Sequence, residues 1–529
     1  MSDEKKLLKN SFGVSLATLA SRILGLLRVR LEAVSLGGGT TASIWFLTLM
    51  IPNMLRRLLG EGALGTALTP IIAGTERESG IPAARRELAQ ILTVLGALLA
   101  LIVAVVSCGA LLLGKYHDLF GSAFLSSERV VGVYEYLPLI MPYAFFICLT
   151  GVIGAVLNYA GIFVRPALTA LLFNICMIAG LSAGVLFDLS PGHLITGLAV
   201  LTPVAGMVQF LLMLWMLQSC GRFPVFSRET FRSFAVTGKV FKLALPALLG
   251  YGVLQFSFVI DRTLALYLGD QAVPALTYVD RIVDLPIGLF AVSLGAVLMA
   301  SMTHAATEKN WDEMREQLNF SMRHVWFFCS PMAAAVLFFH IEILRVLCLG
   351  GRYTLNDLDA TRMVAVFYGL GIPFFCSLKV ILPAFYSRKD MKRPFYVSLA
   401  AICVNITLNL ILMFPLKQGG LALATVIASG VNNTVLLILL KKDGFPLYRR
   451  TFFSAVRSVI ISLLAGGCVR LFLPVMKKLF RTSYWSDCLL LLFTGICFGM
   501  VFLILAWLSK APELKEFLSI LRRKRKKTV

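Results

Sequence analysis

Four arginines stand in apolar surroundings that would bury them in a membrane. Arg22 and Arg28 lie in Ser21-Arg22-Ile23-Leu24-Gly25-Leu26-Leu27-Arg28, and Arg56 in Ile51-Pro52-Asn53-Met54-Leu55-Arg56-Arg57-Leu58-Leu59-Gly60-Glu61-Gly62. Arg281 lies in Tyr278-Val279-Asp280-Arg281-Ile282-Val283-Asp284-Leu285-Pro286. At the centre of a lipid-exposed helix an arginine costs about 2.5 to 3.5 kcal/mol on insertion scales, so each of these must face something polar. A guanidinium stays ionised when partly dehydrated, and its planar fork grips phosphate oxygens in pairs. Several converging on one cavity would favour a diphosphate over a carboxylate. The four have fewer nearby acids than they need, so an anion from elsewhere is expected. For Arg281 the competing reading is a structural ion pair with Asp284 at i+3.

The local sequence bends the helices that carry these charges. Arg22 lies roughly 15 Å along the helix from Phe12 at 1.5 Å per residue, near the midplane. Arg28 is about 120° round a straight helix from it, so either Gly25 bends the helix between them or the two line different walls. Pro52, Asn53, Gly60, Glu61 and Gly62 set a break or gating element into the next span. Adjacent Arg56 and Arg57 point about 100° apart, which gives Arg56 to the cavity and pairs Arg57 with Glu61 at i+4.

The supporting elements follow from composition. The chain has 529 residues, 58% hydrophobic and 15% charged, with a mean hydropathy of +0.83; soluble chains carry about 25% charged residues. Apolar runs long enough to cross the hydrocarbon core recur about fourteen times, which predicts an all-α polytopic membrane protein. The net charge of +22 would suggest nucleic acid in a soluble protein. Its distribution instead follows membrane topology: with a cytoplasmic N-terminus, inside segments hold roughly 31 Lys and Arg against about 8 outside. An even span count puts both termini in the cytoplasm. Arg388, Lys389, Lys392 and Arg393, then Lys441, Lys442, Arg449 and Arg450, and the tail Arg522 to Lys527 all fall inside. Membrane lipids, and no nucleic acid, are the partners expected of that tail. Met1 to Asn10 lacks a signal-type cleavage site and reads as the start of a retained first helix.

The division is into residues 1–220, an N-terminal lobe of six helices; 221–237, a cytoplasmic linker; 238–441, a C-terminal lobe of six; 442–510, two extra helices; and 511–529, a basic cytoplasmic tail. A faint repeat supports it: Arg28, Leu36-Gly37 and Arg56 are echoed by Asp261-Arg262, Leu268-Gly269 and Arg281. Repeated halves with a site near the midplane are a common transporter plan. The eleven cysteines form no CxxC pair, the five histidines are isolated, and no phosphate-binding loop or nucleophile elbow is present. No catalytic residue is assigned. A membrane glycosyltransferase or polymerase acting on polyprenyl diphosphate sugars would also use arginines, but needs a base or metal-binding acids on an outer loop. Only Asp357 and Asp359, near Arg352, come close.

At these arginines the chain resembles the MurJ (MviN) lipid II flippase family of the MOP exporter superfamily, which also contains multidrug exporters and polysaccharide flippases. The similarity is close over Ser21 to Arg28, Ile51 to Ala63 and Tyr278 to Arg281, and weaker over Phe385-Tyr386-Ser387-Arg388 and Gly420-Leu421-Ala422-Leu423-Ala424-Thr425. The resemblance implies two six-helix lobes around a cationic central cavity, with Arg22, Arg28, Arg56 and Arg281 binding the diphosphate. It also implies that the two extra C-terminal helices form a groove for the polyprenyl tail. Some members bind sodium, at positions matching Asp261, Asn405, Asn409 and Thr425. Two acids frequent in the family are Val29 and Ser43 here, which weakens inferences about gating contacts.

The function implied is translocation of lipid II, the undecaprenyl-diphosphate-linked peptidoglycan precursor, from the cytoplasmic to the outer leaflet of the bacterial inner membrane by alternating access. The alternatives are another polyprenyl-diphosphate saccharide as substrate, or the glycosyltransferase reading. No cofactor is expected; sodium or the membrane potential would supply the drive, and cell-wall synthesis proteins are candidate partners.

Overall fold

In hydrocarbon a backbone must satisfy its own hydrogen bonds, and this chain does so almost entirely as helix. The computed structural model describes residues 3–60, 63–120, 122, 124–226, 235–479 and 483–516, with no strand among them. The helices are α1 (Asp3–Leu36), α2 (Thr40–Leu55), α3 (Ala63–Tyr116), α4 (Glu128–Ile140), α5 (Pro142–Tyr159), α6 (Val164–Leu186), α7 (Pro191–Ser219) and α8 (Ala235–Tyr267). They continue as α9 (Ala272–Pro286), α10 (Val292–Thr307), α11 (Trp311–Leu347), α12 (Leu355–Tyr386), α13 (Lys392–Leu416), α14 (Gln418–Lys442), α15 (Arg449–Leu479) and α16 (Tyr484–Leu508). The protein is a multi-pass membrane protein: 10 stretches among the described residues are long and apolar enough to cross. The sequence suggested about fourteen. The difference falls on helices that are charged or broken, such as α1 with Arg22, Arg28, Arg30 and Glu32, and the short α2, α9 and α10.

Proline and glycine place the interruptions. Pro52 lies inside α2, and the chain then winds as a π-helical turn over Arg56–Gly60. The second half repeats the device: α9 ends at Pro286 and a π-helical turn covers Ile287–Ala291. Each π turn follows a short helix, of 16 and 15 residues, and each short helix follows a turn glycine in the left-handed region, Gly37 at φ 77° and Gly269 at φ 120°. Within α3, Gly80 at φ 80° divides two helical pieces. Buried hydroxyls such as Thr48, Thr150, Thr202, Ser377 and Ser458 each donate to the carbonyl four residues back, so none costs an unpaired polar group.

The contacts divide into two units. The first holds residues up to Pro274 together with Gly351–Tyr353. Its core joins α3, α5 and α7 through Leu88, Leu95, Val152, Val156 and Met213. The π turn packs backbone to backbone on α5: a Cβ on Gly60 would lie 3.2 Å from the Cys148 Cα, and one on Gly151 would strike the Gly60 carbonyl. In membranes such close approach replaces the hydrophobic effect as the source of packing energy. Arg352 brackets two helix ends. Its amide donates to the Val34 carbonyl at 2.9 Å, Nη1 donates to the Ser35 carbonyl at 2.9 Å and Nη2 to the Leu189 carbonyl at 2.7 Å. Carbonyls just within or beyond a helix C-terminus lack intrahelical partners, and a cation there also suits the helix dipole. The segment after α7 is pinned to α3 by the Arg222–Glu76 ion pair and by Arg85, whose Nε donates to the Phe223 carbonyl at 2.7 Å.

The second unit holds Ala275–Gly350 and the chain from Thr354 onward. Here α11, α15 and α16 share a core of Phe327, Phe339, Ile461, Ala465, Leu473, Phe498 and Phe502. Ala511 and Leu514 join that core, so the chain just after α16 is docked. Glu513 is fully buried, with Arg457 at 2.7 Å and Arg323 at 3.5 Å, and accepts from Ser454. The basic run Arg522 to Lys527 lies outside the described residues. Between α14 and α15, Asp443 binds Arg388 at 2.8 Å and Arg393 at 2.7 Å. Burial pushes its carboxyl up, but the hydrogen bonds and charges of Arg393 and Arg388 outweigh that and hold it below its ordinary 3.8.

Candidate functional site

The best-defined charge on α1 is Arg28. It lies on α1 with 9% of its surface exposed, and its Nη1 donates to the Asn174 side-chain oxygen on α6 at 3.0 Å. Its Nε is 3.4 Å from Glu32, one turn on, and its guanidinium carbon lies 5.6 Å from the centre of the Phe173 ring. Glu32 in turn accepts from the Trp45 indole at 3.5 Å. Asn174 also donates towards the Ser21 carbonyl at 3.3 Å, so one amide ties α6 to α1 on both sides of Gly25. The expected shortage of acids therefore does not extend to Arg28, because Glu32 supplies a carboxylate from the same helix face at i+4.

The other arginines are placed as follows. Arg22 is half-buried on α1, and Arg56 is half-buried as the first residue of the π turn. Arg57 is exposed and turned toward α8, where its guanidinium carbon lies 5.8 Å from the Phe258 ring centre. Buried Arg262 lies over the same ring at 4.9 Å, so one aromatic ring serves two cations. Glu61 and Gly62, the expected partner and hinge, lie outside the described residues. Pro52 is buried in α2, Asn53 donates to the Leu49 carbonyl at 2.9 Å, and Gly25 has open space where a Cβ would stand. Arg281 is half-buried on α9 in the second unit.

Of the four oxygen-bearing residues matched to a sodium site, three meet. Asn405 on α13 donates to the Thr425 hydroxyl on α14 at 3.3 Å, and Asn409 donates to the Asn405 oxygen at 3.2 Å. Asp261 is half-buried on α8, in the first unit. Ser43 donates to the Asp270 carbonyl at 2.7 Å, and the Asp270 carboxylate pairs with Arg129 at 3.2 Å. The loop acids a glycosyltransferase would need have other work. Asp357 closes a capping box with Thr354 at the start of α12, and Asp359 pairs with Arg362 at 3.4 Å.

Sequence reasoning missed Glu32, Asn174 and Phe258. The first was legible as i+4 to Arg28. Nothing in the sequence links Asn174 to Arg28, from which it is separated by 146 positions.

Comparison with known proteins places the chain in one family. The sequence profile described as Lipid II flippase MurJ matches residues 33–489. A probable lipid II flippase MurJ of Rhizobium tropici is 30% identical over 473 residues, covering 88% of this chain and 86% of the relative. One from Vibrio cholerae is 30% identical over 476 residues, covering 88% and 89%. Among solved structures, a lipid II flippase MurJ in an inward closed conformation superposes with a TM-score of 0.75 at 24% identity, over 93% of this chain and 97% of that one. An inward-facing multidrug resistance MATE family transporter of the MOP superfamily gives 0.65 at 17% identity, over 80% and 94%. These two likenesses establish the fold. The profile match over most of the length, with the relatives of similar length, shows that the chain belongs to the lipid II flippase MurJ family.

Proposed function

We propose that this protein is a lipid II flippase, a transporter and not an enzyme, which moves the undecaprenyl-diphosphate-linked precursor across the bacterial inner membrane. The observation that carries the reading is Arg28: a buried guanidinium on a membrane helix, held in position by Glu32, Asn174 and Phe173, in a chain of this family. With Nη1 hydrogen-bonded to Asn174 and the Glu32 carboxylate beside Nε, its fork is oriented in advance, which lowers the cost of gripping a phosphate. Arg22, Arg56 and Arg281 complete the proposed diphosphate ligands.

The headgroup enters from the cytoplasmic side, the arginines hold its diphosphate, and the lobes rock to open the site outward while the tail stays in lipid. The lobes are 1–220 and 238–441, joined by the linker at 221–237, and the two helices of 442–510 shelter the tail. The oxygen donors of Asn405, Asn409 and Thr425, with Asp261 for charge, suit a hard monovalent cation. Sodium or the membrane potential, at about 2.3 kcal/mol per charge per 100 mV, would reset the cycle. Both termini are cytoplasmic in this scheme, where enzymes of wall synthesis could supply the substrate.

The test is lipid II translocation in vesicles by the parent and by Arg28→Ala, Arg56→Ala and Arg281→Ala, each checked for normal insertion. Translocation should stop in all three while insertion is retained. Variants that flip like the parent would overturn the assignment.

A further inference from the structure

Helices α11 and α15 of the second unit are cross-linked by ion pairs at two levels. Arg323 and Glu342, which mark the levels on α11, are about 28 Å apart at 1.5 Å per residue, close to the ~30 Å of a hydrocarbon core. Each cluster therefore lies near one boundary of the membrane, where lipid phosphates begin.

The two clusters differ in charge balance. At the first level Arg323, Arg457 and His324 meet two carboxylates, Glu513 and Glu516, and the docked chain covers them. At the second level Glu342, only 4% exposed, is shared by Lys477 at 2.7 Å and Arg470 at 3.3 Å. One carboxylate needs one cation, so this cluster carries an excess positive charge. Both cationic side chains stay open, 41% exposed for Arg470 and 42% for Lys477. Arg470 reaches Glu342 through Nη1 alone, which leaves Nε and Nη2 to donate elsewhere. Seven residues apart on α15, the two lie within about 20° on one face. Leu473 between them is buried, while Leu471, Phe472 and Val475 are exposed.

We infer that Arg470 and Lys477, oriented by buried Glu342, form an anion site for a lipid headgroup phosphate at the membrane boundary opposite the docked C-terminal segment. The site is separate from the intramembrane arginines and does not rest on the flippase reading. The phosphate could belong to a bilayer phospholipid or to a polyprenyl diphosphate, and the chemistry is shared.

The experiment titrates the purified full chain in neutral detergent and counts bound lipid by native mass spectrometry. The probes are phosphatidylglycerol, phosphate-free diacylglycerol, and a polyprenyl diphosphate, the last in an Arg28→Ala background. Arg470→Gln with Lys477→Gln should weaken a phosphate-bearing probe about thirty-fold, at roughly fivefold per basic residue, and leave diacylglycerol unchanged. Loss confined to phosphatidylglycerol identifies bilayer lipid as the ligand, and loss confined to the polyprenyl diphosphate identifies that lipid. Lys510→Gln, near the opposite boundary, should change neither. Glu342→Gln reads the opposite sign, raising affinity about fivefold. Phosphate probes that bind the double variant as they bind the parent would overturn the site, as would a folded Glu342→Gln protein with no gain.

Discussion

The side-chain oxygen of Asn174 accepts a hydrogen bond from Arg28 Nη1 at 3.0 Å, and this neutral partner leaves the arginine charge intact where a second acid would cancel it. Asn174→Ala should weaken lipid II binding by about tenfold to a hundredfold, since a hydrogen bond to a charged group contributes about 1.5 to 3 kcal/mol. Asn174→Asp should weaken it further, because Arg28 would then face two carboxylates. Equilibrium titration of the purified variants checks the order; an Asp variant that binds better than Ala contradicts it.

Gly151 tests the backbone contact beneath the π turn. A methyl group there meets the Gly60 carbonyl, so Gly151→Ala should cost about 1 to 3 kcal/mol by overpacking. Gly109 has nothing within 4 Å of a Cβ position, and Gly109→Ala should leave thermal stability in detergent unchanged or raise it.

The docked C-terminal segment hangs on Glu513. Its loss as Glu513→Gln leaves Arg323 and Arg457 without the carboxylate they share, and breaking a buried pair costs about 3 to 5 kcal/mol. The segment after α16 should become sensitive to limited proteolysis in the variant and resist it in the parent.

Asp443 gives a dependence on pH. Its carboxyl is held below its ordinary 3.8 by Arg393 and Arg388, so the folded state favours the ionised form. That stabilisation is complete above the unfolded value and is lost as pH falls through the lower folded value. The protection of the Gly444 and Phe445 amides, measured against the intrinsic exchange rate at each pH, should therefore be full at neutral pH and fall below pH 3.8, whereas Asp443→Asn should show low protection throughout.

The fold class was legible because hydrocarbon leaves a backbone few choices, and apolar runs of span length announce the helices that face lipid. Helices interrupted at Pro52 and Pro286, or loaded with charge as α1 is, blur that signal, which is where the span count was uncertain. Arg22, Arg28, Arg56 and Arg281 stood out by cost alone. Their long-range neighbours did not: Asn174 and Phe258 are ordinary residues of apolar helices until folding sets them against a guanidinium, whereas Glu32 could be read from its i+4 spacing to Arg28.

The paired π turns after α2 and α9 change how these helices must be read. A π turn inserts one residue, which rotates everything beyond it by about 100° relative to an unbroken α-helix. A helical wheel drawn straight through position 287 would assign the side chains of α10 to the wrong face, so a cysteine-accessibility scan across that segment needs separate phases before and after it.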